Sequence, residues 1–346
     1  MASKPVVLAL GNPLLDMQVN DDGTLLKKYD LKANDAILVG EKQAGIYDDL
    51  KDNHKLTFVA GGAAQNAARG AQYILPADST VYLGCVGSDP FADQLRAAND
   101  KEGLKTLYQV LPEGTDQTGT CAVILTNHDR SLCTRLGAAE KFSPSHLETP
   151  EVAEHIDAAK YFYLGGFFLT HGIESSLKLA KHSHDKGKVF TMNLSAPFIP
   201  QFFKAQVDQI LPYVDVLFGN ESEAAAFAES HGWDTKDIPA IAAKLAQFEK
   251  VNSSKPRVVV ITQGADSTVV VEGSNEAQIF AVPKMDASAI IDTNGAGDAF
   301  AGGYLGAIVL GKSTAEAVDI AHKMGQICIG QVGPAFQWPK VNVVGA

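Results

Sequence analysis

Short, uninterrupted apolar runs recur along this chain, and stretches with helical periodicity separate them. Residues 6–10, 81–85, 161–164, 189–192, 214–218 and 258–261 read as strands with no polar face. Between them, residues 89–102, 173–186, 221–231 and 238–250 carry helical patterns. A strand that is apolar on both sides has to be covered on both sides. Helical crossovers between parallel strands supply that cover. The expected class is therefore α/β, a central and mostly parallel sheet flanked by helices. Asp89-Pro90 is a good helix start, with a capping acid ahead of a proline at the first helical position.

Two regions break this rhythm. Residues 17–58 hold few long apolar runs and many charges. Residues 118–126 and 131–136 alternate in character around Asn127-His128-Asp129, which predicts a β-hairpin. Such pieces would form a second, smaller layer, expected to act as a lid at the carboxyl edge of the main sheet. No repeat or linker is evident, and residues 337–346 read as a loose tail.

Charge narrows the function. With 29 Lys+Arg against 40 Asp+Glu the net charge is −11, which disfavours nucleic acid and anionic membrane surfaces as partners. The first apolar run is too short for an export signal, and residues 299–311 are too short and glycine-rich to span a bilayer. Cys85, Cys121, Cys133 and Cys328 form no CxxC pair, so buried reduced thiols in a cytoplasmic protein are expected, a nuclear location also being open. No metal site built from His or Cys is expected, and His182 and His184 are expected to be solvated.

Gly306-Ala307-Ile308-Val309-Leu310-Gly311-Lys312-Ser313 matches the Walker A pattern letter for letter. A phosphate loop must follow a strand and must be loop-like between its glycines, whereas this segment continues an apolar helical run. Gly311 suits a helix C-terminus, and Ser313 with Glu316 suits a capping box for the next helix. The better anion site lies upstream, at Ile290-Ile291-Asp292-Thr293-Asn294-Gly295-Ala296-Gly297-Asp298-Ala299-Phe300. There two glycines allow a tight turn, a small-residue helix leaves, and its first N–H groups point outward. Asp298 sits in the first turn and suits proton abstraction. The competing reading is a glycine-rich turn with Asp298 as a helix-start charge.

Three further segments can serve a ligand or only the fold. Gly61-Gly62 followed by Ala63-Ala64-Gln65-Asn66 lets a ligand approach the backbone, or packs a helix close to a strand. Asp16, bracketed by Leu14, Leu15 and Met17, can accept from two neighbouring hydroxyls, or from a turn or salt-bridge partner. Asn220 and Glu223 form a capping box, and can also organise hydrated Mg²⁺ and phosphate. Arg130, at the expected hairpin tip, is either a surface charge or a phosphate contact from the lid. A nicotinamide dehydrogenase is disfavoured because no G-x-G-x-x-G follows the first strand.

Taken together, Gly61-Gly62 with Asn66 and the run from Asp292 to Phe300 resemble the two signatures of the ribokinase-type (PfkB) family of sugar and nucleoside kinases. The resemblance extends over nearly the whole chain. Further runs that carry it are Gly11–Asp16, Gly166-Phe167-Phe168-Leu169-Thr170, Asn193 to Ile199, and Phe218 to Ala224. Ala63-Ala64 stand where a hydroxyl residue often follows the glycines.

The resemblance implies a ribokinase-like fold in one domain, 1–346, with a discontinuous lid from about 17–58 and 115–138. It implies transfer of the γ-phosphoryl of ATP to the 5′-hydroxyl of adenosine, giving AMP, with Mg²⁺. Asp298 would be the general base, and the Asn294, Gly295, Ala296 and Gly297 backbone the anion hole. Asp16, Gly62 and Asn66 would hold the ribose. Asn12 and Ala63 would lie near the base, walled by Leu14, Leu38, Cys121, Leu132, Phe168 and Phe198. Arg130, Asn220, Glu223, Gln263 and Gly264 would serve ATP, with Asn220 and Glu223 reaching Mg²⁺ through water. A sugar kinase of the same family and a non-catalytic nucleoside sensor are the alternatives. A monomer is expected.

Overall fold

The computed structural model describes residues 6–33, 35–126 and 129–345. Asn127 and His128, the centre of the expected hairpin turn, lie outside the described residues.

Nine strands form the large sheet. From edge to edge they are Gln278–Ala281, Ser267–Glu272, Val258–Thr262, Val216–Asn220, Val189–Asn193, Tyr161–Gly165, Val7–Leu10, Thr80–Val86 and Lys105–Val110. The strands from Val258–Thr262 to Lys105–Val110 all run parallel, Ser267–Glu272 pairs antiparallel with Val258–Thr262, and Gln278–Ala281 pairs antiparallel with Ser267–Glu272. Val7–Leu10 is paired on one side with Thr80–Val86 and on the other with Tyr161–Gly165, Leu8 facing both Val81 and Phe162. The chain order therefore reverses at the first strand, and the crevice beyond its carboxyl end is where such sheets bind ligands.

Burial explains why the central strands are apolar throughout. Leu8, Leu10, Val81, Leu83 and Phe162 pack into the core on one face. Val7, Ala9, Tyr82 and Tyr163 pack into the core on the other. Alternation along each strand feeds both cores, so apolar side chains dominate, and the buried Thr191 is accommodated by donating its hydroxyl to the Phe162 carbonyl.

The second sheet has five strands in the order Ala36–Leu38, Asp129–Arg135, Gly119–Thr126, Leu14–Asn20 and Thr57–Gly61. The expected hairpin is present as Gly119–Thr126 paired antiparallel with Asp129–Arg135. Helices Thr24–Lys28 and Ile46–Asn53 cover one face, where Met17, Val19, Leu25, Ile46, Leu50 and Ile124 form a separate small core. Leu14–Asn20 begins only three residues after the first strand of the large sheet ends. That short link carries the small sheet to the carboxyl edge of the large one.

Several expectations need correction. The strand expected at 214–218 is Val216–Asn220, because Leu211–Tyr213 forms a 3₁₀ turn and pairing with Thr191 starts only at Val216. The segment from 337 is docked rather than loose. The Tyr73 hydroxyl donates to the Gln337 carbonyl and accepts from the Val341 N–H, and Val343 is buried. His182 and His184 are half-buried, each edge-on to a ring, Phe162 and Tyr213 respectively. The Walker-like run is helical as argued: Ala296–Val309 ends there, Gly311 has φ +74°, and both halves of the Ser313–Glu316 capping box are made. All four cysteines are buried and unpaired.

Candidate active site

The crevice divides into two connected spaces. The first is an enclosed pocket under the small sheet. The strand Leu14–Asn20 contributes Leu14 and Asp16, whose side chains share one face by period-two alternation. Leu15 and Met17 point the opposite way, into apolar cores. That is why a carboxylate appears among apolar neighbours in the sequence. Asn12, Gly62, Ala63 and Asn66 line the same pocket, with Leu38, Cys121, Leu132, Phe168 and Phe198 as its apolar wall. Every residue expected around a nucleoside is therefore on this one surface. Leu38 is also partly open to solvent, at 37% exposure.

The second space is a wider cleft of about 600 Å³ along the carboxyl edge of the large sheet. Arg130, Asn220, Glu223 and Gly264 line it, together with the turn Asn294, Gly295, Ala296 and Gly297. Gln263 does not: its amide donates to Ser267 and holds the turn after Val258–Thr262. Asp298 lines both spaces and stands at their junction.

The glycine turns are demanded by the site's own residues. At Gly61 a Cβ would strike the Asp16 carboxylate, and at Gly62 it would strike the Asn12 carbonyl, with φ at +90°. Packing and ligand approach are thus one requirement here, since Asp16 and Asn12 face the pocket.

At the helix start, Gly295 is the N-cap of Ala296–Val309, with φ +77° and no side chain to cap the first turn. Unsatisfied N–H groups there favour an anion. The expected donor set needs adjustment. The Asn294 N–H is already given to Asp292 Oδ1 at 2.8 Å, and the Ala296 N–H to the Thr293 carbonyl at 3.3 Å. Of the four expected donors that leaves Gly295 and Gly297, with Asp298 next along the helix. Gly297 faces open space, as a Cβ there would meet nothing within 4 Å. Gly297→Ala is accordingly expected to fold with an unchanged or slightly higher melting temperature, since alanine outranks glycine in a helix by about 1 kcal/mol. The same methyl would occupy the anion's space and lower kcat by at least about tenfold. Unchanged turnover in this variant would place the anion elsewhere.

Asp292, part of the motif but given no role by the sequence, fastens the turn. Its Oδ1 takes the Asn294 N–H, and its Oδ2 accepts from Gly333 N at 2.9 Å and from Gln18 Nε2 at 3.1 Å. Arg130 Nε lies 3.8 Å from Asp292 Oδ1. Gln18 and Arg130 belong to the small sheet, so Asp292 is where that sheet meets the helix start.

Three carboxyls in the site are held above their usual range by burial. Asp298 is raised to about 7, against a hydrogen bond from Asn66 and the charges of Arg69 and Arg130. Asp16 is raised to about 7, opposed mainly by Arg69. Glu223 is raised to about 7, opposed by the backbone N–H of Asn220, and both halves of its capping box are made. A buried acid poised near neutrality suits proton transfer.

Two contributors escape the sequence reading. His171 Nε2 lies 2.9 Å from Asn12 Oδ1, and burial lowers this histidine to about 4, so it is neutral and orients the Asn12 amide. Arg69 reaches Asn66 from one helical turn away. Its i,i+3 spacing from Asn66 is the signal that could have revealed it.

The geometry agrees with known proteins. The profile of the pfkB family of carbohydrate kinases matches residues 24–341. The adenosine kinase of Schizophyllum commune is 52% identical over 341 residues, covering 98% of each chain. Among solved structures, Anopheles gambiae adenosine kinase in complex with P1,P4-di(adenosine-5) tetraphosphate superimposes with a TM-score of 0.92 at 39% identity, covering 95% of this chain and 96% of that one. Schistosoma mansoni adenosine kinase in complex with adenosine and AMP gives a TM-score of 0.90 at 35% identity, covering 97% and 98%.

Proposed function

The chain belongs to the pfkB family of carbohydrate kinases, and from this we infer that it acts as an adenosine kinase, an ATP-dependent enzyme that phosphorylates the 5′-hydroxyl of adenosine to give AMP. One observation carries the reading of the site. Asp298 stands where an enclosed, partly apolar pocket opens onto a polar cleft that ends at a helix N-terminus. A nucleoside in the pocket and a triphosphate in the cleft would meet at this carboxylate.

Phosphoryl transfer depends mainly on positioning and charge stabilisation. Asp298 takes the proton from the acceptor hydroxyl as the bond to phosphorus forms. The Gly295–Gly297 turn and the start of the helix donate N–H groups to the transferring oxygens, and Arg130 supplies positive charge from the small sheet. Asp16 holds the ribose diol, beside Gly62 and Asn66. The apolar wall with Phe168 and Phe198 covers the base. The small sheet acts as a lid that excludes water, a competing acceptor.

A divalent cation fits this reading. Asn220 and Glu223 offer hard oxygen donors in the cleft, where burial holds the Glu223 carboxyl high, to about 7, and a nearby cation would favour its ionised form. Among the described residues no three His, Cys, Asp or Glu side chains are placed to enclose a metal ion. Hydrated Mg²⁺ held in the cleft through water and phosphate would neutralise triphosphate charge. We propose a monomeric, cytoplasmic protein. No helix among the described residues is long and apolar enough to cross a membrane.

The test is an ATP-dependent assay across adenosine, guanosine, inosine and ribose with product identification. Adenosine should be the preferred acceptor and AMP the product. Preference for ribose would favour the sugar-kinase alternative, and binding without turnover the sensor.

A further inference from the structure

Arg69 lies within the helix Ala63–Ile74 and is only 3% exposed. Its Nη2 donates to Asn66 Oδ1 at 2.7 Å, to the Pro334 carbonyl at 2.7 Å and to the Ala60 carbonyl at 3.0 Å. Glu102 stays 3.9 Å from its Nε, beyond hydrogen-bond reach. A buried guanidinium is costly unless it is closely paired. Its hydrogen bonds go to a side-chain amide and two carbonyls, and Glu102 stays at ion-pair distance without one.

The amide is the informative partner. An asparagine side chain can be placed either way round, presenting oxygen or nitrogen to a given neighbour. Arg69 has only donors, so it fixes the oxygen of Asn66 toward itself. The Nδ2 must then face the other way, and there it donates to Asp298 Oδ2 at 2.9 Å. Turned round, the amide would point its oxygen at a carboxylate. We propose that Arg69 is a positioning residue for phosphoryl transfer, locking the Asn66 amide so that Asp298 is held in one orientation at the junction of pocket and cleft. The proposal rests on the reading of Asp298 as the base.

The other two contacts extend the same role. Ala60 directly precedes Gly61-Gly62. Pro334 packs where a Cβ on Gly295 would fall. One guanidinium thus ties both glycine turns to the helix that carries Asn66. Its charge also opposes the effect of burial at Asp298 and at Asp16.

The experiment compares the unaltered protein with Arg69→Gln and Arg69→Lys. It measures kcat and KM for adenosine with ATP across pH 5.5–9, alongside thermal melting. Arg69→Gln is expected to lower kcat at pH 7 by at least about tenfold, the scale of a mispositioned catalytic group. The acid limb of its kcat profile should move to higher pH. Arg69→Lys keeps the charge but loses the planar fork. It should return the limb to its original position while kcat stays at least about threefold down. A purely structural arginine would lower the melting temperature and leave the turnover and pH profile of the folded protein unmoved, which would overturn the proposal. If Arg69→Gln does not fold, Arg69→Lys decides: full kcat overturns the positioning role, and reduced kcat with an unmoved limb supports it. Failure of the unaltered protein to phosphorylate adenosine would overturn the proposed function itself, and this inference with it.

Discussion

Asp298→Asn lowers kcat for adenosine phosphorylation by at least about 10²-fold while adenosine still binds, as expected when a general base is replaced by a near-isosteric amide. That factor corresponds to about 2.7 kcal/mol of transition-state stabilisation. The pH profile provides an independent check. Burial raises Asp298 to about 7, so the neutral, proton-loaded form dominates below that pH and cannot accept a proton. The unaltered protein should therefore lose kcat as pH falls through about 7, and the variant's residual rate should lack this limb. Stability should move in the opposite sense to activity. An acid with a folded-state pKa above its unfolded value stabilises the fold below the unfolded value, and that contribution disappears as pH rises through the folded value. Asp298→Asn should accordingly melt at a higher temperature than the unaltered protein at pH 8, with the gap closing toward pH 4. Near-normal kcat at pH 8 in steady-state assays would remove Asp298 from the role of base.

The parts of this protein legible in its sequence are those with a single physical cause. Val7–Leu10 and Thr80–Val86 are buried along their whole length, so continuous apolarity is their signature. Lys105–Val110 and Gln278–Ala281 are edge strands, largely open or half-open, and they carry no such signature. Leu14–Asn20 is harder still. One face feeds apolar cores with Leu15, Met17 and Val19, and the other carries Leu14 and Asp16 to the pocket and Gln18 to Asp292, so its alternation mixes the two sets. In the site, residues that speak through backbone geometry were readable, because Gly61-Gly62 and Gly295 are forced by close approach and positive φ. Gln263 reads as a ligand residue because a glycine turn after a strand resembles a ligand loop, whereas its amide donates to Ser267 within that turn. His171 leaves no mark in the sequence, and Arg69 leaves only its i,i+3 spacing from Asn66. A lone arginine in a helix or a histidine after an apolar run reads as a surface residue until the fold brings Pro334 or Asn12 against it.

Asp16 has the second large consequence. It is 5% exposed, and its carboxyl lies against the glycine turn so closely that Gly61 cannot carry a Cβ. Burial raises it to about 7, Arg69 opposing and Asp298 and Asp292 adding to the rise, so the protein's own groups compensate its charge poorly. Two hydroxyls of a ribose diol would supply that compensation, each donating to one oxygen. Hydrogen bonds to a charged group are worth about 1.5–3 kcal/mol each. Asp16→Ala should then raise KM for adenosine by on the order of 10²-fold, with a smaller change in kcat because the base and the anion-binding turn remain. The substrate itself provides the second arm of the comparison. 2′-Deoxyadenosine lacks one of the two donors, so the unaltered protein should already bind it less well, and removal of Asp16 should cost it less. The pH dependence gives the sign of the charge. Only the ionised carboxylate accepts from both hydroxyls, so KM for adenosine should worsen as pH falls below about 7 in the unaltered protein and stay flat in Asp16→Ala. Equal losses for adenosine and 2′-deoxyadenosine would mean that Asp16 merely packs the glycine turn, and the diol would have to be held from elsewhere in the pocket.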